Sequence, residues 1–203
     1  MVLCLLSCYD GIQDAYDKAE GYSLRDRGPA GGWIFYINPN YKADGWRYME
    51  AAPLDQSAGQ FWINSGTSPD PDSTLNGKTS SALGTGWSNT EAIIAQEGHT
   101  DSAAKLCRDY RGGGCDDWFL PSREELRQMC WNLRGKMDST YNPDVPDAYG
   151  AGVGDFNTSS GVYLSSTETG QNTAFAQFFS STCTWTNVGK SDGGAKVRAA
   201  RRF

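Results

Sequence analysis

Trp33-Ile34-Phe35-Tyr36-Ile37 is an unbroken apolar run with β-branched and aromatic side chains, set off by the turn residues Gly28-Pro29-Ala30-Gly31-Gly32. It predicts a buried strand. Turn chemistry from Asn38 to Gly45 leads into Trp46-Arg47-Tyr48-Met49-Glu50-Ala51, whose alternation predicts the hairpin partner. Residues 53–86 read as loop, pinned to the core by Phe61 and Trp62. Ser88 with Glu91 three residues on is a capping-box pattern, predicting a helix to about Glu97 that stops at Gly98. Thr100 or Asp101 caps a second predicted helix through Tyr110, ended by Gly112. Ser122 with Glu125 is a second capping box, and Leu126, Met129, Cys130 and Leu133 behind it form the core face of a third helix. After a Gly/Asp/Pro/Asn loop over 135–160, strands are predicted at 161–166, 173–180 and 195–203, with a turn-rich stretch at 182–189. A hairpin, then helices, then strands, without repeats, predicts an α+β fold with the helices segregated from an antiparallel sheet.

Alternation along the 173–180 strand puts Phe175, Gln177 and Phe179 on one face and Ala176, Phe178 and Ser180 on the other. Alternation sorts the two faces without saying which one turns inward. Beyond it runs Ser180-Ser181-Thr182-Cys183-Thr184-Trp185-Thr186, small hydroxyl residues around one Trp. That mixture suits a contact surface of adaptable hydrogen bonds and a rigid anchor; the plain alternative is an edge strand using Thr for propensity.

Composition narrows the classes. The chain has 203 residues, enough for one domain, and no apolar run long enough for a membrane-spanning helix. Its net charge of −6, without a basic block, argues against nucleic acid as a partner. His99 is the only histidine, and no nucleophile constellation accompanies it, so no catalysis and no catalytic residue is expected. Glu124 with Glu125, and Asp116 with Asp117, are neighbours whose side chains point apart, not acid–base pairs. No C-x-x-C spacing and no calcium-loop pattern occurs, so no metal site and no cofactor is expected. Arg198, Arg201 and Arg202 form a basic tail, open either to pairing with Glu50 or Glu168 or to a binding patch.

Leu5-Leu6-Ser7-Cys8 resembles a bacterial lipobox, in which Cys8 is lipidated. Seven residues precede Cys8, so either a longer leader belongs there or the terminus is merely a short apolar segment. The expectation taken is a lipid anchor at Cys8, residues 1–8 as lipobox, 9–27 as linker or short helix, and 28–203 as the domain. Cys107, Cys115, Cys130 and Cys183 then remain, with three connectivities open. Cys107 with Cys115 across the Arg111-Gly112-Gly113-Gly114 turn and Cys107 with Cys130 both suit the chain.

Six segments in order carry a family resemblance: Arg27 to Tyr36, Gly45 to Pro53, Asp117 to Leu126, Tyr163 to Glu168, Ala174 to Phe179, and Val197 to Phe203. Together they resemble the bacterial variable proteins that retroelements diversify on a C-type lectin fold of the formylglycine-generating-enzyme type. The resemblance implies a surface-displayed, lipid-anchored, monomeric protein that binds an unidentified protein or glycan ligand without catalysis. It implies a binding face over about 164–187, rewritten through template adenines. The positions expected on it are Leu164, Thr169, Gly170, Asn172, Thr173, Ala176, Phe178, Ser180, Ser181, Thr182, Cys183, Thr184, Trp185, Thr186 and Asn187. Tyr163, Ser165, Ser166, Glu168, Ala174, Gln177, Phe179 and Lys190 are implied to be fixed, and the face of Phe175, Gln177 and Phe179 is implied to point inward, leaving Phe178 exposed. A monomorphic adhesion module of the same fold is the alternative. The formylglycine-generating enzymes themselves need a reactive cysteine pair in the C-terminal core, where this chain has only Cys183.

Overall fold

Strand-forming runs at both ends of the chain close on each other, and the helices between them cover the seam. The computed structural model describes residues 21–134, 152–180 and 183–203. Cys8 and the rest of residues 1–20, part of the 135–160 loop, and Ser181 and Thr182 lie outside that set.

The apolar run forms β1 (Trp33–Ile37), which pairs antiparallel with β2 (Tyr48–Ala51), Trp33 opposite Ala51 and Ile37 opposite Tyr48. A single helical turn, α1 (Tyr41–Asp44), fills the connection and ends at Gly45, whose φ of 75° is the left-handed conformation that glycine adopts without strain. β8 (Ala200–Arg202) pairs with the far side of β2 and completes a three-stranded sheet.

A second sheet has the order β3 (Ser57–Gln60), β7 (Ala195–Val197), β4 (Val162–Glu168), β5 (Thr173–Phe178), β6 (Trp185–Gly189). β4 and β7 run parallel, and the other neighbours antiparallel. The single strand expected over 195–203 is therefore two, β7 and β8, serving different sheets. The stretch expected to be turn-rich at 182–189 holds β6.

Three helices follow: α2 (Gly86–Ile94), α3 (Ala103–Asp109) and α4 (Arg123–Leu133). α4 has its expected capping box: Ser122 Oγ accepts from Glu125 N at 3.3 Å and Glu125 Oε2 accepts from Ser122 N at 2.7 Å. Glu125 also supplies the other helix start. Its Oε1 accepts from Gly84 N at 2.9 Å and Gly86 N at 3.2 Å, so α2 begins ahead of the expected cap, Ser88. A tertiary carboxylate thus takes over the local side chain's task. Ser88 Oγ instead donates to Thr85 O. α3 is capped by Ser102, not by Thr100 or Asp101, whose own N–H groups are held by Asn64 Oδ1 at 2.7 and 3.2 Å.

The core has two main parts. Trp62, Ile63, Ile93, Trp118, Leu120, Leu164 and Val197 pack between the five-stranded sheet, α2 and α3. Phe35, Met49, Phe119, Leu126, Met129, Leu133, Tyr163 and Phe179 pack around α4. Leu164 and Tyr163 fall in different parts, so β4 is covered on both faces. Residues 21–27, expected as linker, lie against the body: Tyr22 packs edge-on to Tyr48 and Phe203, and Arg27 bridges to Trp33. The arginine tail is structural. Arg201 donates to Glu50 Oε1 at 2.7 Å and to both oxygens of Asp117, and Arg198 donates to Asp55 Oδ1 at 2.8 Å. Glu168 pairs elsewhere, with Lys190.

Candidate functional site

The predicted binding face falls on the β4–β5 hairpin, on β6 and on the segment between β5 and β6. Its two ends are fastened from inside. At one end Lys190, just past β6, donates to Glu168 Oε1 at 2.5 Å and to Thr74 O at 2.8 Å. Glu168 also accepts from Asn76 N and Gly77 N at 2.8 and 2.9 Å, and the ion pair is out of solvent. A buried pair persists only when its remaining hydrogen-bonding capacity is met, as it is here. At the other end Cys130 of α4 is disulfide-bonded to Cys183, with Cα atoms 6.1 Å apart.

Between those anchors the expected residues divide. Asn172, Thr184, Trp185 and Asn187 are exposed, and Thr169, Gly170, Thr173, Phe178, Ser180 and Thr186 are half-buried. Three of the positions expected on the face are buried instead. Leu164 and Ala176 are buried, their side chains packed with Trp62, Ile93 and Trp118 beneath the sheet. Cys183 is a buried half-cystine, not a surface thiol. Because α2, α3 and α4 cover the sheet on both sides, an outward phase on β5 does not mean exposure. Phe178 is accordingly half-buried rather than exposed. Cys107 and Cys115 are both buried, Cys130 is taken by Cys183, so Cys107 is bridged to neither Cys115 nor Cys130, and burial pushes the Cys107 thiol up and out of the reactive range.

The exposed centre is Trp185, half open to solvent at 50%. Its ring meets Phe175 edge to face at 5.2 Å between centroids. The Arg123 guanidinium lies over both rings, 4.8 Å from Phe175 and 5.0 Å from Trp185. Quadrupolar attraction holds such a cation over the π faces. Arg123 Nε makes no hydrogen bond. Along α4 the same stripe continues with Arg127 over Trp131 at 4.4 Å. Arg123 was missed from the sequence, although its spacing of four to Arg127 and eight to Trp131 marks one helical stripe. Phe175 was expected inward, yet it is half-buried and faces Arg123. Tyr163, Ser165, Ser166, Ala174, Gln177, Phe179 and Lys190, expected to be fixed, are buried.

This arrangement offers two rings, a guanidinium, amides and hydroxyls on a fastened backbone, which is equipment for contact binding. His99 lies away from it, bonded through Nε2 to Ser102 Oγ at 2.9 Å, with burial holding its pKa below the usual value. Among the described residues no group of three or more His, Cys, Asp or Glu side chains is placed to hold a metal ion. No helix among them is long and apolar enough to cross a membrane. Against known proteins, no family model matches the chain, and a search of curated proteins finds no match either.

Proposed function

We propose that this chain is a non-catalytic ligand-binding domain of the C-type lectin fold, displayed at a bacterial surface through a lipid on Cys8. Its ligand is a protein or a glycan, and its binding face consists of Thr169, Gly170, Asn172, Thr173, Phe178, Ser180, Thr184, Trp185, Thr186 and Asn187, with Ser181 and Thr182 between. Retroelement diversification of that face is part of the reading. One observation carries it. The residues expected to vary that are exposed or half-buried stand between two internal fastenings, Glu168–Lys190 and Cys130–Cys183, that make no use of the exposed side chains. Substitutions at such positions usually change stability by less than about 0.5 kcal/mol, and by about 1 kcal/mol where the Trp185–Phe175 ring contact is lost, so the side chains are free to change while the backbone is not.

Sequencing the coding region across a clonal population and its sibling genes tests this. Changes clustered in codons 169–187 and traceable to template adenines are the expected result. A stretch as constant as Trp33 to Tyr36 would remove diversification and leave the alternative, a monomorphic adhesion module with one ligand.

A further inference from the structure

β6 is the outer strand of the five-stranded sheet among the described residues, and its outer side has a definite hydrogen-bonding phase. Phe178 N donates to Thr184 O at 2.8 Å, and Lys190 N donates to Asn172 O at 2.9 Å. Between them the register is unbroken, from Gln177 opposite Trp185 to Thr173 opposite Gly189. Antiparallel ladders alternate, so Thr184, Thr186 and Val188 turn their N–H and C=O groups toward β5, while Trp185, Asn187 and Gly189 turn theirs away. Gly189 fits this phase, since its N–H donates to Asp192 Oδ2 and its carbonyl accepts from Asp192 N. Trp185 and Asn187 have no backbone partner on that side among the described residues; the Asn187 carbonyl receives only the Thr186 hydroxyl at 3.4 Å. Natural edges are commonly blunted by lysine, proline or a bulge. Trp185-Thr186-Asn187-Val188-Gly189 has none of these.

Side chains on this edge sort by the same phase. Trp185 and Asn187 stand opposite Gln177 and Phe175, on the face that carries Arg123. A strand paired with β6 places alternate side chains on that face, beside the Trp185 ring and the guanidinium. Arg123 and Arg127 share a single carboxylate, Glu124, which pairs with Arg127 and lies 3.9 Å from Arg123 Nε, so this stripe of α4 carries two cations to one anion. β6 itself is uncharged, so a second copy of this chain pairing through its own β6 brings no carboxylate to those cations.

We infer that β6 is a docking edge that takes an extended, acidic segment of a partner protein as a sixth strand, its main chain paired to Trp185 and Asn187 and a carboxylate side chain meeting Arg123. The inference rests on the binding face proposed above and names its partner. Main-chain pairing makes no use of side-chain identity, so it survives every rewriting of the face, while the changing side chains select among partners. A diversified surface then retains a constant part of its affinity.

The test uses the full chain, a phage-displayed library of linear peptides, and a glycan array in parallel. Expected are enriched peptides bearing Asp or Glu that bind the chain as monomers. N-methylation along such a peptide abolishes binding at every second backbone position and spares the positions between. Arg123→Ala weakens binding about tenfold, the size of a lost charge-assisted pair. Asn187→Pro removes one outward N–H and no ladder bond, so it abolishes peptide binding while leaving the fold. The methylation pattern lies in the peptide and stays informative if that variant fails to fold. Binding indifferent to methylation overturns the inference, as does a dimer in sedimentation that Asn187→Pro disperses. Glycan binding lost in Trp185→Ala, with no peptide enriched, overturns strand pairing but leaves the binding face standing. Peptides with the methylation pattern from a chain whose codons prove constant uphold strand pairing and remove only diversification.

Discussion

Lys190 and Glu168 meet at 2.5 Å with both side chains buried, joining the end of β6 to the end of β4 and holding the 74–77 loop to both. Neither partner is near the other in sequence, and each has further hydrogen bonds that fix its position. The pair decides how the face between them is presented.

Lys190→Met leaves the Glu168 carboxylate buried without its cation. Breaking such a pair from one side costs about 3–5 kcal/mol. Chemical denaturation should show a loss of that size, together with weaker protection of the Asn76 and Gly77 amides in hydrogen exchange. An unchanged midpoint would mean that Glu168 is solvated.

The Cys130–Cys183 disulfide spans 53 residues of sequence. Loop-closure entropy for a span of that size corresponds to about 4 kcal/mol of stability. Reduction, or Cys130→Ser with Cys183→Ser, is expected to lower the melting temperature clearly. Alkylation mapped by mass spectrometry should leave Cys107 and Cys115 unlabelled in the native protein, because both are buried. Labelling of either before unfolding would contradict that burial.

His99 is the chain's single histidine, so its ring protons are a clean probe. Burial, the largest influence, holds its folded pKa below the ordinary imidazole value of 6.5. The unfolded chain therefore binds the proton more readily in the interval below that value. By linkage, the stability His99 contributes is present above pH 6.5 and is lost as pH falls through the lowered folded pKa. An NMR titration should give a midpoint below 6.5, and His99→Gln should flatten that part of the stability profile. A midpoint at or above 6.5 would place the ring in water.

Burial also pushes the Tyr163 phenol up, to about 12, with the Asn157 N–H a smaller opposing influence. Its neutral form is the one the fold favours, so stability is expected to fall as pH rises from 10 toward 12. Tyr163→Phe should remove that component of the alkaline transition in a phenolate absorbance titration. An identical alkaline profile in the variant would reject the assignment.

Trp185→Ala removes an exposed ring and its contact with Phe175. Aromatic pairs contribute about 0.5–1.5 kcal/mol beyond area, so a stability loss near 1 kcal/mol is expected in denaturant. A loss several times larger would mean that the ring belongs to the core rather than to a contact surface.

Phe175 and Trp185 illustrate how far the sequence carries. Alternation grouped Phe175 with Gln177 and Phe179, and the family resemblance turned that face inward; Gln177 and Phe179 are inside, but Phe175 is only half-buried, while Ala176 on the other face is buried. Period two assigns faces; it does not say whether a face is covered. Here α2 and α3 lie on one side of β5 and α4 on the other, so exposure is decided by how far each helix reaches. The face of Ala176 is therefore buried, and that of Phe175 opens only beyond the N-terminus of α4. The exposed residues around Trp185 were legible as a group; Arg123 between the rings was not, because it comes from a different element.

What the sequence determined by itself is local. The Ser122–Glu125 capping box, the Leu126, Met129, Cys130 and Leu133 face of α4, the β1–β2 hairpin and the α+β order of elements all follow from contacts within a few residues. The tertiary structure decided where distant groups were brought together: Glu125 capping α2, Asn64 taking the N–H groups ahead of α3, Cys130 reaching Cys183, and the C-terminal run dividing between two sheets. Each of these depends on the positions of other elements in space. Backbone N–H groups and buried charges must be satisfied by whatever partner packing brings within reach, and spacing along the chain does not encode which partner that is.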